Sequence, residues 1–328
     1  MPLGKRIESP ASNNNHQIET KTTQSPSNSA NTDTTGSTSE FTLFQAEEPK
    51  YSFDDIILND STYNAIQDVL VMYEKRDLLF NKWGLGEKHK NQNRAGVNLY
   101  GYSGTGKSMA AHAIANQLER KILTVDYSQI ESKYVGETSK NLVSMFNYAK
   151  ESRSIIFFDE ADALLSRRVT NMTNSTDVSV NQTRSVLLVI INDFDDLILF
   201  ATNFITNYDP AFLRRILAHV KFELPDDENR FKLWRMYIPQ KLPTNADIKA
   251  LAEKYSGISG SDISNAVLNA SLRAARKDEI IVQHEYFAEA IERIMTSKTD
   301  NDNLGTLVSR RNVSEDYVKS QFGGEVPK

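Results

Sequence analysis

The run Gly101-Tyr102-Ser103-Gly104-Thr105-Gly106-Lys107-Ser108 constrains the fold of this chain more than any other stretch. It matches the phosphate-binding pattern G-x-x-x-x-G-K-[ST] in full. Such a loop needs a strand before it and a helix after it. The glycines let successive backbone N–H groups turn inward, and the helix start presents its positive dipole end to the phosphates. The flanks agree: Val97-Asn98-Leu99-Tyr100 predicts a short strand, and Met109, Ala110, Ala113, Ile114, Ala115 and Leu118 predict a helix. Lys107 is then placed to reach β- and γ-phosphates, and Ser108 to ligate Mg²⁺.

The rest of the chain alternates in the same way. Strands are predicted at Ile122–Val125, Ser154–Phe158 and Leu197–Ala201, and helices around Leu142, Met145, Phe146 and Ala149 and around Val186–Ile191. Ser154-Ile155-Ile156-Phe157-Phe158 is apolar without a break after its serine, as a strand covered on both faces must be. This alternation predicts an α/β fold with a doubly wound parallel sheet. After Pro225 only helical stripes follow, such as Ile263, Ala266, Val267, Ala270 and Ala275, so a small all-helical second domain is expected. The expected organisation is a disordered polar tail over 1–45, a nucleotide-binding α/β domain over 46–226, a helical domain over 227–297 and a polar C-terminal tail over 298–328 with a short helix at Ser314–Phe322. The N-terminal tail is dominated by Ser, Thr, Asn and Gln and has too little to bury to offset its ordering entropy.

Asp159 and Glu160 close the most apolar strand. An acid at the carboxyl end of a buried strand beside a phosphate loop suits Mg²⁺, and the next acid suits the polarisation of an attacking water. Asn203 ends a neighbouring strand, where its amide can reach a terminal phosphate or the lytic water. Arg214 and Arg215 stand together after Asp209-Pro210-Ala211-Phe212-Leu213; they read either as a solvated basic pair or as a finger stabilising charge on a neighbour's nucleotide.

This order of motifs resembles the AAA family of ATPases, the group that includes katanin, spastin and the FtsH-type proteases, over about Tyr51 to Met295. The resemblance implies a P-loop NTPase large domain followed by a helical lid, in a stand-alone single-ring member. It places Lys107 and Ser108 in Walker A, Asp159 and Glu160 in Walker B, and Asn203 at sensor 1. Phe53 to Ile56 resembles the family's F-x-D-I signature, which puts Asp55 and Ile56 near the adenine. Ser256-Gly257-Ile258-Ser259-Gly260-Ser261-Asp262 resembles the lid motif S-G-x-S-G-A-D, which puts Gly260 and Ser261 near the nucleotide. Lys133, Tyr134, Val135 and Gly136 fall at the family's first pore loop, where an aromatic and an aliphatic residue grip a threaded polypeptide. Val169–Asn181 falls at the second. The chain departs from the family in three places: Tyr102-Ser103 replaces Pro-Pro, the link Asn192-Asp193-Phe194-Asp195-Asp196 before the sensor strand is shorter than usual, and the usual second finger arginine is replaced by Leu217-Ala218, with Arg215 favoured as the residue acting in trans.

The resemblance implies ATP and Mg²⁺ as cofactors, a homo-oligomer with six subunits, a polypeptide substrate and a separately encoded adaptor or protease, in the cytoplasm. Two other functions fit the same fold: a nucleic-acid motor or clamp loader, and a nucleotide-gated scaffold. A net charge of −5 and a lone Lys133 on the pore loop weigh against nucleic acid. An intact catalytic base weighs against a pure switch. No apolar run approaches the ~18 residues of a membrane span, and the absence of cysteine excludes a thiol nucleophile and a Cys-ligated zinc. His284-Glu285 lacks the second histidine of a zinc protease. His112 is expected on a helix surface, Trp83 and Trp234 in packed positions, and Arg273 and Arg276 in solvent.

Overall fold

The computed structural model describes residues 44–88, 96–126, 137–165, 175–203 and 208–309. Lys133, Tyr134, Val135 and Gly136, residues 169–174 of the second pore-loop segment, residues 1–43 of the N-terminal tail and residues 310–328 of the C-terminal tail, with the short helix expected at Ser314–Phe322, lie outside the described residues.

A 3-10 turn at Phe53–Asp55 leads into α1 (Asp60–Glu74), a π-helical turn (Leu78–Lys82) and α2 (Leu85–Lys88). Then come β1 (Gly96–Gly101), α3 (Lys107–Gln117), β2 (Ile122–Val125), α4 (Glu137–Ser152), β3 (Ile155–Phe158), α5 (Asp162–Leu165), α6 (Ser175–Asp193), β4 (Ile198–Thr202), α7 (Pro210–Leu213) and β5 (Ile216–Phe222). The strands form one sheet in the order β2-β3-β4-β1-β5, and every pairing is parallel. Register places Phe158 beside Phe200 and Tyr100 beside Thr202. The loops after β1, β3 and β4 therefore leave the same carboxyl edge, where ligands bind in open α/β sheets.

The strand alternation explains the unbroken apolar run in β3. Ile156 and Phe158 join Leu123, Val125 and Phe200 against α4 and α6 on one face. Ile155 and Phe157 join Val97, Leu99 and Leu199 against α1 and α3 on the other. Phe158 stacks on Phe200 with centroids 5.3 Å apart. The outer edge of β2 is partly covered by Glu47, which exchanges two 2.9 Å backbone hydrogen bonds with Ile122.

Three sequence expectations are corrected. β5 was not foreseen: only Ile216, Val220 and Phe222 are buried along it, and His219 and Lys221 break up its apolar signal. Trp83 is 67 % exposed rather than packed. His112 is buried rather than on the surface; its Nδ1 accepts from the Lys50 backbone N–H at 3.3 Å, and its ring meets Tyr51 and Phe157 edge-on.

At the amino edge of the sheet, away from the phosphate loop, Arg120 spans three connections. It donates to the Arg153 carbonyl, to Tyr73 Oη at 2.6 Å and to Asp196 Oδ2 at 2.5 Å. Tyr73 donates to Asp196 Oδ1 at 2.7 Å.

The second unit comprises α8 (Asp227–Tyr237), α9 (Ile248–Lys254), α10 (Gly260–Arg276) and α11 (His284–Ser309), packed around Trp234, Phe287, Ile263 and Ile291. Trp234 is fully buried, as expected. Ser259 and Asp262 form a reciprocal capping box at the start of α10, and Asp262 also accepts from Lys298 Nζ at 2.5 Å. Residues 298–309 thus continue α11, and Lys298 is tied to the start of α10. Arg273 is not free in solvent: it pairs with Glu289 and lies over the Tyr286 ring at 4.5 Å, whereas Arg276 is exposed.

The connection between the units is pinned from both sides. The Leu224 carbonyl accepts from Asn59 Nδ2 at 3.2 Å. The next carbonyl, of Pro225, accepts from Arg230 Nη1 at 2.7 Å, and Arg230 Nε donates to the Ala252 carbonyl at 2.9 Å. Among the described residues no helix is long and apolar enough to cross a membrane.

Candidate nucleotide site

The phosphate loop adopts the conformation its glycines were expected to permit. Gly101, Gly104 and Gly106 have φ of 144°, 74° and 94°. A Cβ on Gly101 would stand 2.0 Å from the Phe222 carbonyl oxygen of β5, a backbone neighbour that cannot turn away. A Cβ on Gly104 would meet the Ser261 hydroxyl.

Lys107 begins α3 with its side chain buried. Its three ammonium protons have three acceptors: the Gly101 carbonyl, the Tyr102 carbonyl and Asn203 Oδ1, each at 2.9 Å. Burial holds its pKa below the usual lysine value, against the pull of Asp159 and Asp162. Ser108 Oγ donates to Asp159 Oδ2 at 2.8 Å, and the Glu160 N–H donates to Asp159 Oδ1 at 3.0 Å. Glu160 is exposed, with φ of 51°, a conformation non-glycine residues rarely adopt. The Asn203 N–H donates to Asp162 Oδ2 at 3.1 Å, which fixes the end of β4 over the acid pair. The structure thus brings together Lys107, Ser108, Asp159, Glu160 and Asn203 from three strand ends.

These groups line a cleft of about 420 Å³ together with Ser103, Gly104, Thr105 and Gly106. Asp55 and Ile56 form another wall, and Gly260 and Ser261 reach in from α10. The Ser261 N–H donates to the Gly104 carbonyl at 3.3 Å, so the second unit touches the phosphate loop directly. Tyr102 stands exposed. Sequence reasoning missed Leu233, Met236 and Tyr237 of α8, and Ser264 and Asn265 of α10, which also line the cleft. The α10 pair stands one helical turn beyond Gly260 and Ser261, a spacing that could have found it. The α8 residues carry no such signal.

The donor set suits Mg²⁺, a hard cation that takes oxygen ligands, often one or two carboxylates plus substrate phosphates. Ser108 and Asp159 supply such oxygens, already in mutual contact at the phosphate end of the cleft.

Neither arginine of the 214–215 pair lines the cleft of its own chain. Arg215, the residue favoured from sequence to act on a neighbour, is folded back on its own chain: Nε donates to Asn192 Oδ1 at 2.7 Å and Nη1 to the Ala211 carbonyl at 2.6 Å. The Arg214 side chain is exposed and makes no hydrogen bond or ion pair among the described residues.

Comparison with known proteins agrees with this geometry. Residues 97–224 match the ATPase family associated with various cellular activities (AAA), and residues 245–289 match the AAA+ lid domain. The chain is 35 % identical over 262 residues to a proteasome-activating nucleotidase of Methanopyrus kandleri, covering 77 % of this chain and 58 % of that protein. It is 34 % identical over 270 residues to a protein of the same name from Archaeoglobus fulgidus, covering 80 % of this chain and 66 % of that protein. It is 31 % identical over 262 residues to a 26S proteasome regulatory subunit 8 homologue of Arabidopsis thaliana, covering 77 % and 61 %. The matched region thus spans 58 to 66 % of the length of these relatives. With a parallel five-stranded sheet, a phosphate loop at its carboxyl edge and a helical lid closing over that loop, the chain belongs to the AAA family of ATPases.

Proposed function

We propose that this chain hydrolyses ATP with Mg²⁺ in a ring of its own copies, six in number, and uses the energy to unfold or remodel a polypeptide. The observation that carries the reading is the meeting of Lys107, Ser108, Asp159, Glu160 and Asn203 at one sheet edge. Lys107 exchanges its carbonyl and Asn203 acceptors for phosphate oxygens, which frees the Asn203 amide to orient the terminal phosphate or the water. Ser108 and Asp159 would hold Mg²⁺, which neutralises charge building on the phosphates. The exposed Glu160 carboxylate accepts the water proton. Asp55, Ile56, Gly260 and Ser261 enclose the rest of the nucleotide.

Arg214 acts in trans on a neighbour's terminal phosphate, and Arg215 braces the turn that presents it. The exposed guanidinium of Arg214, without a partner among the described residues, and the double anchorage of Arg215 support that division. Tyr134 and Val135 grip the polypeptide, with Lys133 and Gly136 flanking them. The relatives' names point to a proteasome as the separately encoded partner; a cytoplasmic place follows from the family resemblance alone.

The test is Glu160→Gln: nucleotide binding is kept while turnover falls by about 10² or more. Turnover at the wild-type rate in that variant refutes the assignment. Arg214→Ala mixed into wild-type protein should poison the neighbours' turnover, while Arg215→Ala should act by loosening the turn. Equal turnover in all mixtures refutes the shared site.

A further inference from the structure

A chain of buried polar groups runs through the sheet just behind the site. Asn98 of β1, Thr202 of β4 and Tyr208 are all buried. Thr202 Oγ1 donates to Asn98 Oδ1 at 3.2 Å, and Tyr208 Oη contacts both Thr202 Oγ1 and Asn98 Oδ1, the latter at 3.4 Å. Asn98 Nδ2 faces His219 Nδ1 of β5 at 3.5 Å. Polar groups in the middle of a sheet are costly unless each finds a partner, so the three constrain one another's positions. Burial pushes the Tyr208 hydroxyl up to about 12, so it remains a donor at any working pH.

The two ends of this chain lead to different parts of the site. Thr202 directly precedes Asn203, whose amide touches Lys107. Tyr208 directly precedes Asp209, whose carboxylate caps α7 through the Ala211 N–H at 2.8 Å. α7 ends at the turn carrying Arg214 and Arg215. We propose that Tyr208 is a positioning residue that couples the setting of Asn203 in one subunit's nucleotide site to the setting of the arginine turn offered to the next. The inference rests on the proposed hydrolytic reading and adds a residue that no motif marks.

The test measures kcat, KM, fluorescent-nucleotide affinity and thermal unfolding on the full chain. Tyr208→Phe keeps the ring and removes the hydroxyl; Thr202→Val removes the other end of the same bond at nearly equal volume. Both should lower kcat about tenfold with nucleotide affinity held within about twofold, the size expected for one lost buried hydrogen bond. In an Asn203→Ala background, Tyr208→Phe should lower kcat by clearly less than tenfold, because one of the two ends it couples is gone. A kcat unchanged in both single variants overturns the proposal, even if they melt earlier. Losses that multiply with Asn203→Ala overturn it as well. Wild-type protein without turnover removes the hydrolytic reading, and this inference with it, before any variant is made.

Discussion

Replacing Asp196 by alanine should destabilise the protein while leaving its nucleotide chemistry intact. Asp196 and Arg120 are respectively 24 % and 19 % exposed, and Asp196 accepts from Arg120, from Tyr73 and from the Leu197 N–H. Removing the carboxylate strands a guanidinium and a phenol that are largely out of water. Breaking a fully buried pair costs about 3–5 kcal/mol; the residual exposure here brings the expectation to about 2–3 kcal/mol. With a urea slope near 2 kcal/mol per molar, the midpoint should fall by about 1 M. Burial raises the Asp196 pKa, but the Arg120 and Tyr73 hydrogen bonds outweigh it and hold the group below the usual carboxylate value. Because the folded value is the lower one, this contribution is present above the unfolded aspartate value of about 3.9 and fades as pH falls through the folded one. All three connections sit at the amino edge of the sheet, so kcat and nucleotide affinity should not move. A double-mutant cycle with Arg120→Met gives the coupling: after Arg120→Met, Asp196→Ala should cost about 1 kcal/mol or less. A single-variant loss below about 0.5 kcal/mol, or fully additive losses, would refute the reasoning.

Gly104→Ala forces a side chain onto a φ of 74° and against the Ser261 hydroxyl. It should cost about 1–2 kcal/mol in backbone strain alone and weaken nucleotide binding measured by calorimetry, since the lid must withdraw from the loop. Burial lowers the His112 pKa, so the unfolded chain takes up a proton that the folded chain resists. Stability should fall below about pH 6.5 by up to about 1.4 kcal/mol per pH unit for this group, and His112→Gln should flatten that slope in chemical denaturation. Asp262→Ala removes the carboxylate half of the α10 capping box, leaving the Ser259 cap, and the partner of Lys298; it should cost about 1–2 kcal/mol, read as earlier loss of helical signal on heating.

The site was more legible in the sequence than the scaffold that holds it. Asp159, Glu160 and Asn203 stand at strand ends, where apolar runs stop, and Lys107 and Ser108 open the helix that follows the glycine loop, so the strands and the candidate site were read from the same punctuation. Ser261 was legible through its motif, but its bond to the Gly104 carbonyl was not, because nothing local says which loop a helix start will touch. β5 escaped because an edge strand needs few buried positions, and His219 and Lys221 dilute them. His112 escaped because its cover, Lys50 and Tyr51, comes from a segment far away in the chain. The Arg120–Tyr73–Asp196 cluster joins a helix and two connections with no common pattern, and only the folded chain brings them together.

The link between the two units has a mechanical consequence. Leu224 is held to the α1 side by Asn59, and Pro225 is held to the lid by Arg230; Asn59 also accepts from Asn229 Nδ2 of the lid at 3.0 Å, so a swing has to turn about the bonds between the adjacent carbonyls and part that bridge. The pyrrolidine ring removes one of the available rotations. What lies beyond moves as a stiff arm, because Arg230 also grips α9 through Ala252. α11 alone has 26 residues, a length of about 39 Å at the helical rise. A pivot of roughly 10° displaces a point one such helix length away by about 7 Å. A swing of that size would also part the Ser261 N–H from the Gly104 carbonyl, so the lid's angle and its contact with the phosphate loop must change together.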